Sequence, residues 1–167
     1  NVCETRQLNV TENRWLKSYF VKEIFPLLTP VAIDPAHPFP FVPNLGLSIV
    51  LKLKSKKSKN IIRVVIPFPK GLKKFIKVND TNKFIPTDNI IIFFIDQLFP
   101  KYIFISYGAF RLIRDSDIEF SDEAEDLVTT YENQLRKRRY GREVLLEMTK
   151  SIPEDLKKMI INSLDIK

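Results

Sequence analysis

The sequence has very few of the residues from which common catalytic and phosphate-binding sites are built. Its 167 residues include one cysteine, Cys3, which excludes an internal disulfide framework and a thiolate-rich metal site. There is one histidine, His37, so any Ser-His-Asp or Cys-His mechanism would have to use it. No glycine-rich loop can surround a nucleotide phosphate, because the four glycines are scattered: Gly46, Gly71, Gly108 and Gly141. A self-sufficient phosphotransferase or dehydrogenase of the common types is therefore not expected.

Long apolar runs are also missing. The longest, residues 90–95, is far shorter than the ~20 residues of a membrane helix, and the first residues do not have the pattern of a signal peptide. The sequence starts with Asn1 rather than Met, so we expect it to be part of a longer protein. A single cysteine fits a reducing compartment.

The chain is basic, with a net charge of +7 and a pI of about 9.5. Such a surface favours polyanions, although a soluble basic protein without a polyanionic partner has the same composition. A nucleic-acid-binding sheet would interleave exposed aromatic residues with its cations, whereas the 13 phenylalanines fall mostly on predicted buried faces. We therefore expect no nucleic-acid partner. Four lysines fall in a predicted hairpin tip: Lys54, Lys56, Lys57 and Lys59.

The N-terminal half predicts one helix followed by strands. Thr11 is the predicted cap of a helix with an apolar stripe at Leu16, Phe20 and Ile24, which Pro26 ends. Residues 28–43 contain five prolines and should be extended and ordered, outside any sheet interior. Residues 45–53 alternate as a strand with one buried face, and residues 60–68 form its antiparallel partner. A shorter hairpin is predicted from residues 73–78 and 83–85.

The C-terminal half predicts further helices and strands. Thr87 and Asp88 are predicted to cap a buried helix over residues 89–99, and residues 102–114 to form one or two strands with a bulge or a kink at Gly108. Residues 121–140 have the clearest helical pattern, and residues 142–149 return as a strand. Ser151 and Glu154 match a capping box before a last helix. The predicted fold class is α+β: a mixed, mainly antiparallel sheet packed with about four helices.

Three segments, in order, resemble the middle or head domain of bacterial polyphosphate kinases. They are LTPVAIDPAHPFPF at residues 28–41, FRLIRDSD at 110–117 followed by DEAEDL, and LRKRRYGREVLLE at 135–147 followed by SIPE. The resemblance divides the chain into residues 1–27, a helix joining from a helical domain that is not present, and residues 28–167, the middle domain.

The resemblance implies reversible transfer of the terminal phosphate of ATP to inorganic polyphosphate, with Mg²⁺ and a phosphohistidine intermediate. In that family the phosphorylated histidine lies in C-terminal domains. This chain should therefore contain no catalytic residue, bind neither ATP nor Mg²⁺ alone, and be inactive in isolation. The expected partners are the remaining domains of the same polypeptide, polyphosphate and a second copy of the chain. The expected location is cytoplasmic, with a peripheral position at the inner membrane as the alternative.

The basic run that follows the predicted helix supplies the candidate phosphate contacts. Cations at a helix C-terminus also stabilise the helix dipole, and a solvated or ion-paired helix end is the alternative interpretation. Guanidinium groups, however, bind phosphate oxygens in bidentate fashion. The candidates are Arg136, Lys137, Arg138, Arg139 and Arg142.

The other motif residues are predicted to be structural. His37, in a proline-rich turn, should hydrogen-bond to backbone groups that the prolines leave unpaired. Arg111 and Arg114 fall on opposite faces of a strand, and at least one should pair with Asp115, Asp117 or Glu119 to fix a corner. No metal site is predicted, because these carboxylates lack the spacing of a calcium loop. The complete structural set is Asp34, Pro35, His37, Pro38, Arg111, Arg114 and Asp115.

Two other functions stay open at this stage. One is a stand-alone basic module that binds nucleic acid or another polyanion. The other is a purely structural domain whose basic face contacts an acidic neighbour.

Overall fold

A five-stranded antiparallel sheet forms the centre of the protein. The computed structural model describes residues 1–34, 39–69, 71–114 and 143–164, and it gives the strand order β1–β3–β2–β6–β7. The predicted α+β class is confirmed. The strands are β1 (Val31–Ile33), β2 (Leu47–Ser55), β3 (Ile61–Pro67), β6 (Tyr102–Arg114) and β7 (Glu143–Met148), and a separate hairpin is formed by β4 (Phe75–Lys77) and β5 (Phe84–Pro86).

Four α-helices in the described residues cover the two faces of the sheet unequally. Helices α1 (Val10–Tyr19), α2 (Thr87–Phe93) and α3 (Ile95–Leu98) lie with the small hairpin on one face. Helix α4 (Glu154–Ser163) packs on the other face, where Leu156 and Ile160 are completely buried. Each face of the sheet therefore has its own hydrophobic core.

The first helix starts two residues earlier than the predicted cap. Asn9, not Thr11, accepts the hydrogen bond from the Glu12 backbone N–H at 2.8 Å, and the Glu12 carboxylate accepts one from the Asn9 N–H. This reciprocal pair satisfies two donors that the first helical turn leaves free. The helix continues through a π-helical turn (Phe20–Ile24) and a 3₁₀ turn (Phe25–Leu27). Its predicted stripe, Leu16, Phe20 and Ile24, is fully buried.

The prediction that residues 45–53 bury one face is wrong. Ile49 and Leu51 enter the core beneath α1–α3, while Val50 enters the core beneath α4. Leu45 is not in the strand; it has φ 59° in a turn and is 60% exposed. The alternation is real, but β2 is central and packed on both sides, so both of its faces carry apolar residues.

The pairing of β2 with β3 and the small β4–β5 hairpin are confirmed. Asn79 supplies the positive φ of the small hairpin's turn, at 44°. The proline-rich segment contributes β1, a short strand at the edge of the sheet that pairs with β3. An edge position suits a segment whose prolines cannot donate hydrogen bonds to two neighbours.

The helix predicted over residues 89–99 is interrupted. Phe94, with φ −104° and ψ 21°, separates α2 from α3, and its ring stacks on Phe20 at 4.9 Å between centroids. The predicted cap is also wrong. The Thr87 hydroxyl donates to the Lys73 carbonyl at 2.5 Å, and no side chain caps α2. Thr87 thus anchors the preceding loop instead of the helix.

Strand β6 is a single strand, and its bulge lies at Ile105 rather than at Gly108. Lys52 pairs with Ser106 and Leu53 with Phe104, which leaves Ile105 as the extra residue. Gly108 serves close packing instead, since a Cβ there would lie 2.3 Å from Cγ1 of Ile152.

The last strand and helix are where the sequence predicts them, but the predicted capping box is absent. Pro153 occupies the N-cap position of α4, and no side chain caps the helix. Asp155, in the first turn of α4, accepts a hydrogen bond from Lys52 Nζ on the sheet at 2.7 Å.

Contact between Gly108 and Ile152 generates a prediction. Gly108→Ala should lower the free energy of unfolding by about 1–3 kcal/mol, because the new methyl overlaps a packed side chain. Ile152→Ala removes the two nearest atoms, so the double variant should be less destabilised than the sum of the single variants. Urea unfolding of all four proteins measures this coupling, and strictly additive effects would contradict the assigned contact.

Glu12 joins α1 to the small hairpin. Lys83 donates to its carboxylate at 2.9 Å, and this hydrogen bond, followed by the Asn9 backbone bond, holds the pKa of Glu12 below its ordinary value of 4.5. A lowered pKa in the folded state means that the contribution to stability is present above pH 4.5. It is lost as the pH falls through the folded value.

Glu12→Gln should therefore be less stable than the parent at neutral pH, and the difference should shrink as the solution is acidified from about pH 7 to about pH 3. Urea unfolding across that range measures the difference. Glu4→Gln is the matched control, because the Glu4–Arg6 pair is exposed on both sides and should contribute little. A gap between parent and Glu12→Gln that does not change with pH would contradict the assignment.

Candidate functional site

The described residues contain only part of the site predicted from sequence. Arg136, Lys137, Arg138, Arg139 and Arg142 lie outside them, as do Pro35, His37, Pro38 and Asp115 and the helix predicted over residues 121–140. The roles given to these residues therefore stay predictions. Asp34 is described and follows β1 at the sheet edge, in an exposed position. Arg111 and Arg114 are described in full.

Arg114 fixes the corner at which β6 ends. Its Nε donates to the Val42 carbonyl at 3.2 Å, and its guanidinium lies 5.3 Å from the centroid of the Phe41 ring. Its backbone N–H donates to Asn44 Oδ1 at 2.9 Å, and its carbonyl accepts from Asn44 Nδ2 at 3.3 Å. Only 8% of Arg114 is exposed. The arginine thus holds the segment after the proline-rich stretch against the end of the sheet.

These contacts are not the ones that the sequence predicts for Arg114. The carboxylates proposed as its partners, Asp115, Asp117 and Glu119, lie outside the described residues, so that pairing stays a prediction. The partners that the structure does give, a carbonyl and an asparagine about 70 residues away, cannot be inferred from local spacing.

Arg111 lies on the opposite face and pairs across strands. Its Nε donates to Glu147 Oε2 on β7 at 2.7 Å, and its Nη2 contacts the same oxygen. Leu47, Arg111 and Glu147 are register partners, so they form one row across β2, β6 and β7. Cross-strand opposite charges of this kind favour one register.

An open cavity of about 330 Å³ lies on this row, at the end of the sheet. Ala109 and Thr149 form the neighbouring row, and Lys74 approaches from the loop before β4. Most of the cavity lining is apolar. Its complete lining is Leu45, Leu47, Lys74, Ala109, Phe110, Arg111, Glu147, Met148 and Thr149.

On the face that carries α4, a second group of cations lies at the end that no described element covers. Lys52 and Arg63 flank Asp155, and the Lys52 hydrogen bond holds the pKa of that carboxyl below its ordinary value. Within the described ranges, the buried Arg63 Nε has no hydrogen-bond partner. One row further out, Ile61 and Ile103 are each 49% exposed on either side of Lys54. This end of the sheet is both basic and aliphatic.

A second depression, of about 610 Å³, is more polar and lies beside α2 and α3. Burial and the nearby Asp88 carboxylate raise the pKa of Tyr107, which lies on its wall. It is lined by Glu4, Thr5, Asn89, Ile92, Phe93, Ile95, Asp96, Phe104 and Tyr107. No candidate site residue predicted from the sequence lies there.

Neither a metal cluster nor a membrane helix is found in the part of the chain that the structure describes. No three His, Cys, Asp or Glu side chains are grouped there so as to hold a metal ion. No described helix is both long enough and apolar enough to cross a bilayer.

Sequence reasoning missed Lys74 and Glu147 as parts of the cavity. Lys74 lies in a stretch without a motif, and Glu147 ends the LRKRRYGREVLLE motif without having been assigned a role; the sheet register and the loop before β4 bring them to Arg111. Opposite charges at Arg111 and Glu147 were the one available signal, and using it required the β6–β7 register.

The fold is an α+β domain with a hydrophobic core on each face of the sheet and cations at the sheet ends. Comparison with known proteins identifies its family. The model of the polyphosphate kinase middle domain matches residues 11–167. The chain is 36% identical over 166 residues to the polyphosphate kinase of Erythrobacter litoralis and 38% identical over 173 residues to that of Parasynechococcus marenigrum. The protein belongs to the polyphosphate kinase middle-domain family.

The likeness covers nearly all of this chain but a quarter or less of its relatives. It covers 99% and 96% of this sequence, and 23% and 24% of those two curated relatives. The crystal structure of polyphosphate kinase from Porphyromonas gingivalis shares the fold, with a TM-score of 0.76 at 18% identity. That match covers all of this chain and 24% of the other.

The burial of Arg114 and the exposure of the Arg111–Glu147 pair generate a prediction. Arg114→Ala should lower the free energy of unfolding by about 1–3 kcal/mol, because the Val42 carbonyl loses its charged donor. Arg111→Ala, the matched control on the same strand, removes a partly exposed ion pair and should cost less than about 1 kcal/mol. Equal effects of the two variants in urea unfolding would contradict the clamp role of Arg114.

Proposed function

We propose that this chain is the scaffold and polyanion-contacting middle domain of a polyphosphate kinase, an enzyme that reversibly transfers the terminal phosphate of ATP to inorganic polyphosphate. The observation that carries the proposal is the family match over residues 11–167, which covers all the buried residues of both hydrophobic cores except Leu8. In this proposal the chemistry takes place on other domains, and the chain is inactive alone.

The described surface supports a polyanion-contacting role. Lys57 and Lys59 lie exposed at the tip of the β2–β3 hairpin, and Lys54 lies on the uncovered sheet face. None of the three side chains has an anionic partner among the residues of the described ranges. With a net charge of +7, the chain can attract polyphosphate over a distance before any specific contact forms.

The scaffold role, including dimerisation, is supported by the aliphatic residues at the uncovered end of the sheet. Ile61 and Ile103 are half exposed, and Ile105 is 43% exposed at the bulge. Solvent-facing isoleucines grouped on one sheet end are typical of surfaces that contact another protein element. Another domain of the same polypeptide, or a second copy, would bury them.

ATP and Mg²⁺ are proposed as cofactors of the complete enzyme. Among the described residues, no three His, Cys, Asp or Glu side chains are grouped so as to hold a metal ion, and no residue is assigned to Mg²⁺.

Two measurements test the proposal. The isolated chain should transfer no phosphate from ATP to polyphosphate, and robust turnover would overturn the division of labour. The same chain should bind inorganic polyphosphate with an affinity that falls as salt is added. Preferred binding to single-stranded DNA, with quenching of Trp15 fluorescence, would instead favour a nucleic-acid module.

The candidate contacts in the basic run can be tested by charge reversal. Arg138→Glu with Arg139→Glu should weaken polyphosphate binding roughly tenfold or more, because two bidentate donors become repulsive carboxylates. In the complete enzyme the same change should raise KM for polyphosphate. The control is Lys17→Glu with Lys22→Glu, which makes the same change in net charge at exposed positions of α1 and the π-helical turn after it. If both double variants lost the same affinity for polyphosphate, the loss would reflect net charge alone and would contradict a specific contact.

A further inference from the structure

The cavity at the end of the sheet has a preformed shape. Its floor consists of the row Leu47–Arg111–Glu147 and the neighbouring Ala109 and Thr149. Ala109 has the shortest side chain of these, which leaves space above the sheet, and Thr149 Oγ1 accepts the Ala109 N–H at 3.1 Å.

Backbone hydrogen bonds hold both walls in place. On one side, Leu45 has φ 59° and its N–H donates to the Leu112 carbonyl at 2.8 Å. On the other, the buried Thr87 donates from its hydroxyl to the Lys73 carbonyl at 2.5 Å and from its N–H to the Lys74 carbonyl at 2.9 Å. A ligand entering this space would therefore not have to order the backbone around it.

The side chains around the cavity combine apolar walls with an excess of positive charge. Leu45 and Leu47 supply apolar surface, while Arg111 is oriented by Glu147 through two of its five donor N–H groups. The Lys74 ammonium makes no hydrogen bond or ion pair with any described residue. Among the described residues, the positive charge of Lys74 at the cavity mouth therefore has no anionic partner, and Arg111 keeps N–H donors that Glu147 does not use.

We infer that this cavity binds a small amphipathic anion, one with an apolar body and a single carboxylate or phosphate group. The apolar body would lie against Leu45, Leu47 and Ala109, and the anionic group would meet Lys74 and the free N–H groups of Arg111. A volume of about 330 Å³ is at the small end of the range for ligand pockets. The proposed ligand differs from the polyphosphate of the proposed function, because a polyphosphate chain would leave the leucine walls uncovered.

Phenyl phosphate and benzoate are the probes, because each joins a ring to one anionic group. Isothermal titration of the 167-residue chain should detect both, whereas inorganic phosphate and benzyl alcohol, which each supply half of the chemistry, should bind at least about tenfold more weakly. Absence of binding by both phenyl phosphate and benzoate would overturn the inference. So would inorganic phosphate binding as tightly as phenyl phosphate.

Adjacent lysines give a matched pair of variants. Lys74→Glu should weaken phenyl phosphate binding about tenfold or more, because it reverses the charge at the cavity mouth. Lys73→Glu makes the same change in net charge one residue away but does not line the cavity, so it should weaken binding clearly less than Lys74→Glu does. Equal losses would assign the effect to general charge and overturn the site.

The apolar wall is tested without risk to the core. Leu45→Asn removes apolar surface at an exposed position with positive φ, a conformation that asparagine tolerates, so the variant should fold. It should weaken phenyl phosphate binding several-fold and leave inorganic phosphate binding unchanged. Unchanged phenyl phosphate binding would overturn the proposed pose.

Discussion

The structure depends on the burial of its central strand from both sides. Ile49, Leu51 and Leu53 enter one core and Val50 enters the other, each almost completely buried. A strand of this kind cannot face solvent, so helices must cover the sheet on both faces. Among the described elements, the ten-residue α4 packs on one of these faces, and the end of that face beyond it carries Lys54 and the half-exposed Ile61 and Ile103.

The ends of the sheet are fixed by polar contacts between residues distant in sequence. Arg114 connects the end of β6 to the Val42 carbonyl and Asn44, while Lys52 connects the middle of β2 to Asp155 on the last helix. These contacts add little stability individually when they are exposed, but Arg114 is buried, and its removal would leave an unpaired carbonyl. They determine where chain segments leave the sheet, and therefore where surface cavities form.

The sequence predicts strands and apolar stripes well, and caps poorly. Period-two alternation located β2, β3 and β6 and predicted the antiparallel pairing of β2 with β3, but it did not show that β2 is buried on both faces. Capping depends on which of several nearby polar side chains forms the hydrogen bond to the free N–H groups of the first helical turn. Asn9 replaces Thr11 in that role, and Thr87 bonds to a loop instead of its own helix. Gly108 was predicted to mark a bulge or a kink, and only the position of Ile152 in the fold shows that it serves close packing instead.

The candidate site, like the fold, could be predicted from the sequence only in part. Arg111 and Arg114 could be singled out from a motif, but their different roles follow from burial and register, which no local pattern encodes. Lys74 is in a segment without any motif, yet the anchoring of its loop by Thr87 brings it to the cavity mouth. Together the two proposals assign two kinds of anion to this domain. Long polyanions need dispersed, exposed cations, whereas a small amphipathic anion needs a single unbalanced cation above an apolar floor. The separation of the hairpin-tip lysines from Lys74 along the fold satisfies both requirements without any shared residue.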